Sequence, residues 1–228
     1  MSIKKDLQLQ FHLSVEKNIS DVLPYYETRL SVMAELTNLR NEILNCLLLG
    51  FYQGSIFSTN HFLERLIKVS LIKKHTIGYN YLNSKAYNEK IEESKLLFDR
   101  LSLSESLKKA KEKKLITEEE MDGLSVLRKT IRNPFSHAEV SKINSGSPKF
   151  FKGFMFNFDE IKSKLATEEA LELPELTEIS TFSPAFAQIY QEENSKLLAF
   201  DYFREVHEIM LKMEGRLTDK FQTGKSQL

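Results

Sequence analysis

From Asp21 to Lys74 apolar residues return at three- and four-residue steps, and this run constrains the fold more than any other feature of the chain. Tyr26, Leu30, Met33, Leu36, Ile43, Leu44 and Leu47 fall on one face of a 3.6-residue helix, which predicts one long helix punctuated by Gly50. Ile56, Leu63, Leu66, Ile67 and Leu71 mark a second helix from about Phe51 to Lys74, ending in the basic Lys73-Lys74-His75 that suits a helix C-terminus. Only 8 Gly and 5 Pro stand against 16 Phe in 228 residues, which fits a packed, helix-rich body.

The flanking segments read differently. Leu7, Leu9, Phe11, Leu13 and Val15 alternate with Gln8, Gln10, His12 and Ser14, a period-two pattern that predicts a strand. Phe154, Phe156 and Phe158 alternate in the same way, so the two segments are expected to pair as a small antiparallel ribbon beside the helices. Tyr79 to Asn83 reads as a loop, with shorter helices at 86–101 and 103–114. Thr117 and Glu120 have the spacing of a capping box and start another helix, with Leu124, Leu127 and Ile131 on one face. Beyond a Ser/Gly/Asn-rich loop at 141–148 come the Phe-rich strand, a short helix at 159–165 and an acidic connection to about Ser183. A long helix then runs from Pro184 to about Met213, followed by a polar, frayed tail from Gly215 to Leu228.

Composition narrows the class. Lys and Arg total 32, as do Asp and Glu, so no global field marks a nucleic-acid binder and any RNA site must be local. The single cysteine, Cys46, lies among apolar residues, reads as a buried inert thiol and fits a reducing cytoplasm. No apolar stretch approaches the roughly 18 residues of a membrane span, so a soluble intracellular protein with no membrane partner is expected.

The overt chemistry is concentrated in Arg132-Asn133-Pro134-Phe135-Ser136-His137. It joins a permanent cation, an amide and the side chain that titrates near neutral pH, the groups needed to break a phosphodiester without a metal. With 8 Arg, 12 Asn and 5 His in the chain, Arg-Asn followed by His at this spacing arises by chance only about 0.01 times. On an unbroken helix Arg132 and His137 would diverge by roughly 140°. Pro134 cannot donate to the Thr130 carbonyl and biases Asn133 away from helical geometry. A kink or restart there would turn both side chains toward one pocket; a plain helix end would need the same proline.

This run resembles the R-x4–6-H motif of the HEPN superfamily, in which Asn, Asp or His commonly follows the Arg. The helix containing Leu63-Glu64-Arg65-Leu66-Ile67-Lys68 is similar to the family's preceding helix, with its Leu-Glu pair followed by Leu and Lys. The likeness covers about residues 20–140; the strand-like segments and the C-terminal helix lie outside it.

The resemblance implies an HEPN-like helical bundle; taken with the patterning outside it, the expected fold is mainly α, with a small peripheral two-stranded β element and a long C-terminal helix. With no repeat and no clear second domain in the sequence, one domain over residues 1–228 is expected, with its helical core at about 20–140. The resemblance further implies a homodimer in which two motifs face each other across one composite cleft, acting as a metal-independent endoribonuclease. Arg132 would bind the scissile phosphate and stabilise its developing charge. His137 would serve as general acid or base while the 2′-hydroxyl attacks phosphorus. Asn133 would orient the phosphate or imidazole, with Ser136 taking a smaller share and Glu64 in support. The implied substrate is RNA, transfer RNA included, and the products a 2′,3′-cyclic phosphate and a 5′-hydroxyl. Neither metal nor cofactor is implied. Such nucleases resemble toxins and antiviral defence effectors, and many pair with an antitoxin or a nucleotidyltransferase.

Structural readings stand beside these. Arg132 can pair with a neighbouring carboxylate, with Glu64 the expected partner, and His137 can simply suit a helix end. A degenerate HEPN-like module that binds nucleotide or protein without cutting, and an unrelated helical scaffold, are the other two readings. His61 near Glu64 has no second ligand pair to make a metal site; His12, His75 and His207 are expected at the surface or an interface. Lys108, Lys109, Lys111, Lys113 and Lys114 are read as a solvated face balanced by Glu118-Glu119-Glu120 rather than an RNA guide. Phe154, Phe156 and Phe158 are read as core or dimer packing rather than a base-stacking stripe.

Overall fold

A computed structural model describes residues 3–79, 84–137, 150–167, 173–180 and 183–225, the side chains at 84, 136, 137, 160, 184, 185 and 220–225 excepted. The chain is mainly helical, with one two-stranded antiparallel sheet among the described residues. It divides into two compact units, Met1–Ser136 with Asn194–Leu228, and His137–Glu193.

The first unit opens with a helix where the alternating pattern predicts a strand. Residues 7–15 are helical, within α1 (Ile3–Tyr26), and form no strand. At about 100° per residue, Leu7, Phe11 and Val15 line up with the buried Asn18 and Val22, while Leu9 and Leu13 point to the opposite side. Lys, Leu and Gln in the first turns are good helix formers, and the alternating pattern has no strand to pair with. Asn18 fastens the helix by donating its amide to the carbonyls of Leu47 (3.0 Å) and Leu48 (3.3 Å).

The single helix expected from Asp21 to Gly50 is also divided. After α1 come a 3₁₀ turn at Ala34–Leu36 and then α2 (Thr37–Leu48). The break is made from far along the sequence. The Glu214 carboxylate accepts the backbone N–H groups of Ser31 (2.5 Å), Val32 (2.6 Å) and Met33 (3.0 Å), which a continuous helix would have turned inward to its own carbonyls. Met33 and Leu36 nevertheless stay in the core, so the apolar periodicity survives the break.

Gly50, at φ +77°, ends α2 as expected, and Phe51 N–H closes the turn on the Cys46 carbonyl (2.7 Å). The central helix α3 (Tyr52–Thr76) buries Ile56, Phe62, Leu63, Leu66, Ile67 and Leu71. Against it pack α4 (Ser84–Phe98) and α5 (Leu103–Glu112), and α6 (Glu118–Leu127) packs in turn on α5. A π-helical turn (Arg128–Arg132) and the short α7 (Asn133–His137) continue directly from α6.

The last helix, α9, spans Pro184–Lys225, well past the expected end near Met213. In the first unit it buries Ala199, Tyr202, Phe203, Val206, Met210, Met213 and Leu217 along one stripe. Of the tail expected to fray from Gly215 to Leu228, residues 215–225 continue the helix and the start is anchored, while 226–228 lie outside the described residues. Arg216 donates to both oxygens of Glu120 (2.7 and 2.8 Å) and to the Leu115 carbonyl (2.8 Å), which holds the helix beside the α6 N-terminus.

The second unit contains β1 (Phe150–Phe154), α8 (Phe158–Ala166), β2 (Leu176–Ser180) and the first turns of α9. The ribbon exists, but β1 pairs with β2, out of the supposed acidic connection, in the register Phe151↔Ile179 and Gly153↔Thr177. A Cβ on Gly153 would lie 3.1 Å from Ile179 Cδ1, so the bare glycine lets Ile179 settle on β1. Phe154, Phe156 and Phe158 are 45%, 44% and 77% exposed, so of the core or dimer packing expected of them the core is excluded within one chain. The 141–148 loop lies outside the described residues.

Candidate functional site

The site is built on α6 and its continuation. Thr117 Oγ1 accepts the Glu120 N–H (3.2 Å) and Glu120 accepts the Thr117 N–H (2.9 Å), completing the expected capping box. Leu124, Ile131 and Phe135 then bury one face of the continuing helix. That helix does not stop at Pro134. It widens first, with Asn133 N–H bonding the Arg128 carbonyl five residues back, and resumes as α7. The cause is local: Pro134 brings no N–H, and its ring would strike the Thr130 carbonyl in α register. Thr130 meanwhile donates its hydroxyl to the Val126 carbonyl (3.0 Å). The expected kink or restart is thus a π-turn, a feature frequent at functional sites.

The π-turn carries Arg132 toward α3. Its Nη2 forms an ion pair with Glu64 Oε1, and its Nη1 donates to Asn133 Oδ1 (3.2 Å). Glu64 is therefore the partner that the sequence suggested. Asn133 orients the guanidinium from the adjacent position. One turn before Glu64 on α3, Asn60 Oδ1 accepts the hydroxyl of Tyr202 from α9 (2.7 Å). Burial holds the Tyr202 phenol far above its ordinary pKa; the Arg132 charge opposes that shift and the Glu64 charge reinforces it. Tyr202 is thus a protonated donor beside the ion pair.

Arg132 opens onto a groove of about 280 Å³, lined also by Arg128, Glu64 and the residues Leu101–Ser104 ahead of and within the first turn of α5. The Nε atoms of Arg128 and Arg132 are both buried without a hydrogen-bond partner among the described residues. The groove therefore carries two guanidinium groups and one carboxylate. It can accept an anion that competes with Glu64 for Arg132.

The structure brings together Arg132, Asn133 and Glu64 of the expected site residues. The side chains of Ser136 and His137 lie outside the described residues; the backbone places His137 one helical turn beyond Asn133. Sequence reasoning did not single out Arg128, Asn60, Tyr202 or Ser102. The available signal was the four-residue spacing of Arg128 to Arg132 and of Asn60 to Glu64, which stacks each pair on one helix face.

The remaining candidates sort by environment. His12 meets Glu16 (3.2 Å) at the surface of the first unit, while the partly covered His75 meets Glu93 (3.2 Å) and packs edge-on against Phe98. His207, expected at a surface or interface, is only 3% exposed and packs edge-on against Tyr25. Its α9 face is the apolar stripe itself, which the sequence reading stopped short of resolving. Cys46 is half-buried rather than fully buried, and burial, followed by the Glu42 charge, pushes its thiol pKa up, as suits an inert thiol. Lys109 pairs with Glu112 (2.7 Å) and Lys111 with Glu118, consistent with a solvated basic face. No described helix is long and apolar enough to cross a membrane. No protein-family model matches this chain, nor does any curated protein or solved structure.

Proposed function

We propose that this chain is a metal-independent endoribonuclease of HEPN type. The observation that supports it most directly is the placement of Arg132, oriented by Glu64 and Asn133 at an open groove within the Arg-Asn-x3-His run. In this reading a phosphodiester of RNA displaces Glu64 from the guanidinium. Arg132 then stabilises the charge that builds on the phosphoryl oxygens as the 2′-hydroxyl attacks. Two protons must move, one from the 2′-hydroxyl and one to the departing 5′-oxygen, and His137 supplies general acid–base catalysis. Two copies contribute their motifs to one composite cleft. The products are a 2′,3′-cyclic phosphate and a 5′-hydroxyl, and DNA is not cut. The cellular role in this reading is that of a toxin or defence effector, controlled by an antitoxin or nucleotidyltransferase partner.

One observation favours a second reading. Arg132 is already paired with Glu64, and a satisfied ion pair can be structural, leaving a catalytically inactive module that binds a nucleotide or a protein.

Cleavage of total and transfer RNA in EDTA, by wild type and by Arg132→Ala and His137→Ala, tests the proposal. Cutting lost in both variants is the expected result. Folded, dimeric wild type that leaves every RNA intact would favour the inactive module, and a strict monomer in light scattering would remove the composite cleft.

A further inference from the structure

Arg128 and Arg132 stand four residues apart and line the same groove, and like charges at this spacing repel on a helix. Glu64 pairs with Arg132. Arg128 has no carboxylate partner among the described residues, and its Nε is buried without a hydrogen bond. The same groove is lined by Leu101–Ser104, reaching into the first turn of α5, where the helix presents the positive end of its dipole although Ser102 caps the Glu105 N–H. The Glu105 carboxylate offsets part of that charge by capping Ser102, accepting from its N–H (2.8 Å) and hydroxyl (2.6 Å), but Glu105 does not line the groove. Ser104 lines it and adds a hydroxyl with no partner among the described residues. The groove thus holds an excess of positive charge and of donors.

We infer that Arg128, with Ser104 and the α5 N-terminus, forms a phosphate subsite separate from Arg132. Its ligand is an RNA backbone phosphate adjacent to the one held by Arg132. This assignment rests on the nuclease reading for the source of the phosphate, while the site itself follows from the groove. Arg128 acts as a positioning residue: it sets where the strand lies and takes no part in bond breaking. A guanidinium suits the task because its planar fork meets two phosphate oxygens at once.

The test is fluorescence anisotropy with a labelled 2′-O-methyl RNA oligonucleotide, which binds but has no 2′-hydroxyl to attack, across a salt titration. Arg128→Gln is expected to weaken binding at least fivefold. It should also flatten the plot of log K against log salt by about 0.7, the loss of one single-strand phosphate contact. Arg128→Lys should keep most of the slope. Glu64→Gln, which frees Arg132 from its internal counterion, should tighten binding, an effect opposite in sign to any loss of fold. Affinity and slope unchanged in Arg128→Gln would overturn the inference, as would wild type that binds neither the oligonucleotide nor inorganic phosphate. Binding of inorganic phosphate without RNA would overturn the assigned source. The two proposals fail separately. RNA binding that depends on Arg128 in a protein that cuts nothing sustains the subsite and removes the nuclease. RNA cutting unaffected by Arg128→Gln does the reverse.

Discussion

Arg132, at the end of the π-turn, pairs with Glu64 in the middle of α3, sixty-eight positions earlier in the chain. Both side chains are partly buried, at 25% and 33% exposure, so the pair is neither fully screened nor fully desolvated. The same contact that orients the arginine also competes with any phosphate for it. The balance between those roles is open to measurement.

Removing either partner leaves the other in a partly dry groove. Glu64→Ala and Arg132→Ala should each destabilise the fold by about 1–2 kcal/mol in urea melts. The double variant should lose less than the sum, with a coupling of about 1 kcal/mol. Strict additivity would show that the pair contributes nothing to stability.

Pro134 is the residue that forces the π-turn, and its replacement should restore α register. Pro134→Ala is expected to keep or raise the melting temperature, since proline inside a helix costs about 3 kcal/mol relative to alanine. The register change should swing Arg132 from α3 and erase its coupling to Glu64. A coupling that persists in the Pro134→Ala background would mean that the turn does not direct the arginine.

Glu214 closes the bend between α1 and α2 with three backbone N–H groups and the Ser31 hydroxyl (2.8 Å). Glutamine can offer only one acceptor oxygen there and turns an NH₂ toward the remaining donors. Glu214→Gln should cost about 2–3 kcal/mol, and hydrogen exchange at Ser31, Val32 and Met33 should accelerate first. Protection unchanged at those amides would show that the bend holds without the carboxylate.

His207 makes stability depend on mild acid. Burial, followed by the charge of Arg40, lowers its pKa from the ordinary 6.5 to about 4. The folded pKa lies below the unfolded one, so the unfolded chain binds the extra proton as pH falls. Stability from this group is complete above pH 6.5, declines between about 6.5 and 4, and levels off below. The full loss is on the order of 3 kcal/mol at 1.36 kcal/mol per pKa unit. Relative to wild type, His207→Gln should show a flatter decline in that window, measured by urea melts at fixed ionic strength. Parallel curves would show that His207 does not carry the acid sensitivity.

Local sequence determined what depends on neighbours within a few residues. The capping box at Thr117 and Glu120, the Gly50 turn, the apolar face of α3 and the disturbance at Pro134 were all legible, because each arises from backbone geometry or from side chains one turn apart. The Glu64 partnership was legible as well, because a partly buried arginine needs a counterion and Glu64 lies on the neighbouring apolar helix α3.

Only tertiary structure decided the rest. Period two in residues 7–15 cannot become a strand without a partner, and β2 takes the place beside β1. The three- and four-residue spacing through Ser31–Met33 cannot reveal that Glu214 will interrupt the helix from more than 180 positions away. Nor can a polar tail show that Arg216 will meet Glu120. Periodicity reports which side of an element is apolar; which distant groups arrive to satisfy its backbone and charges is settled when the elements pack.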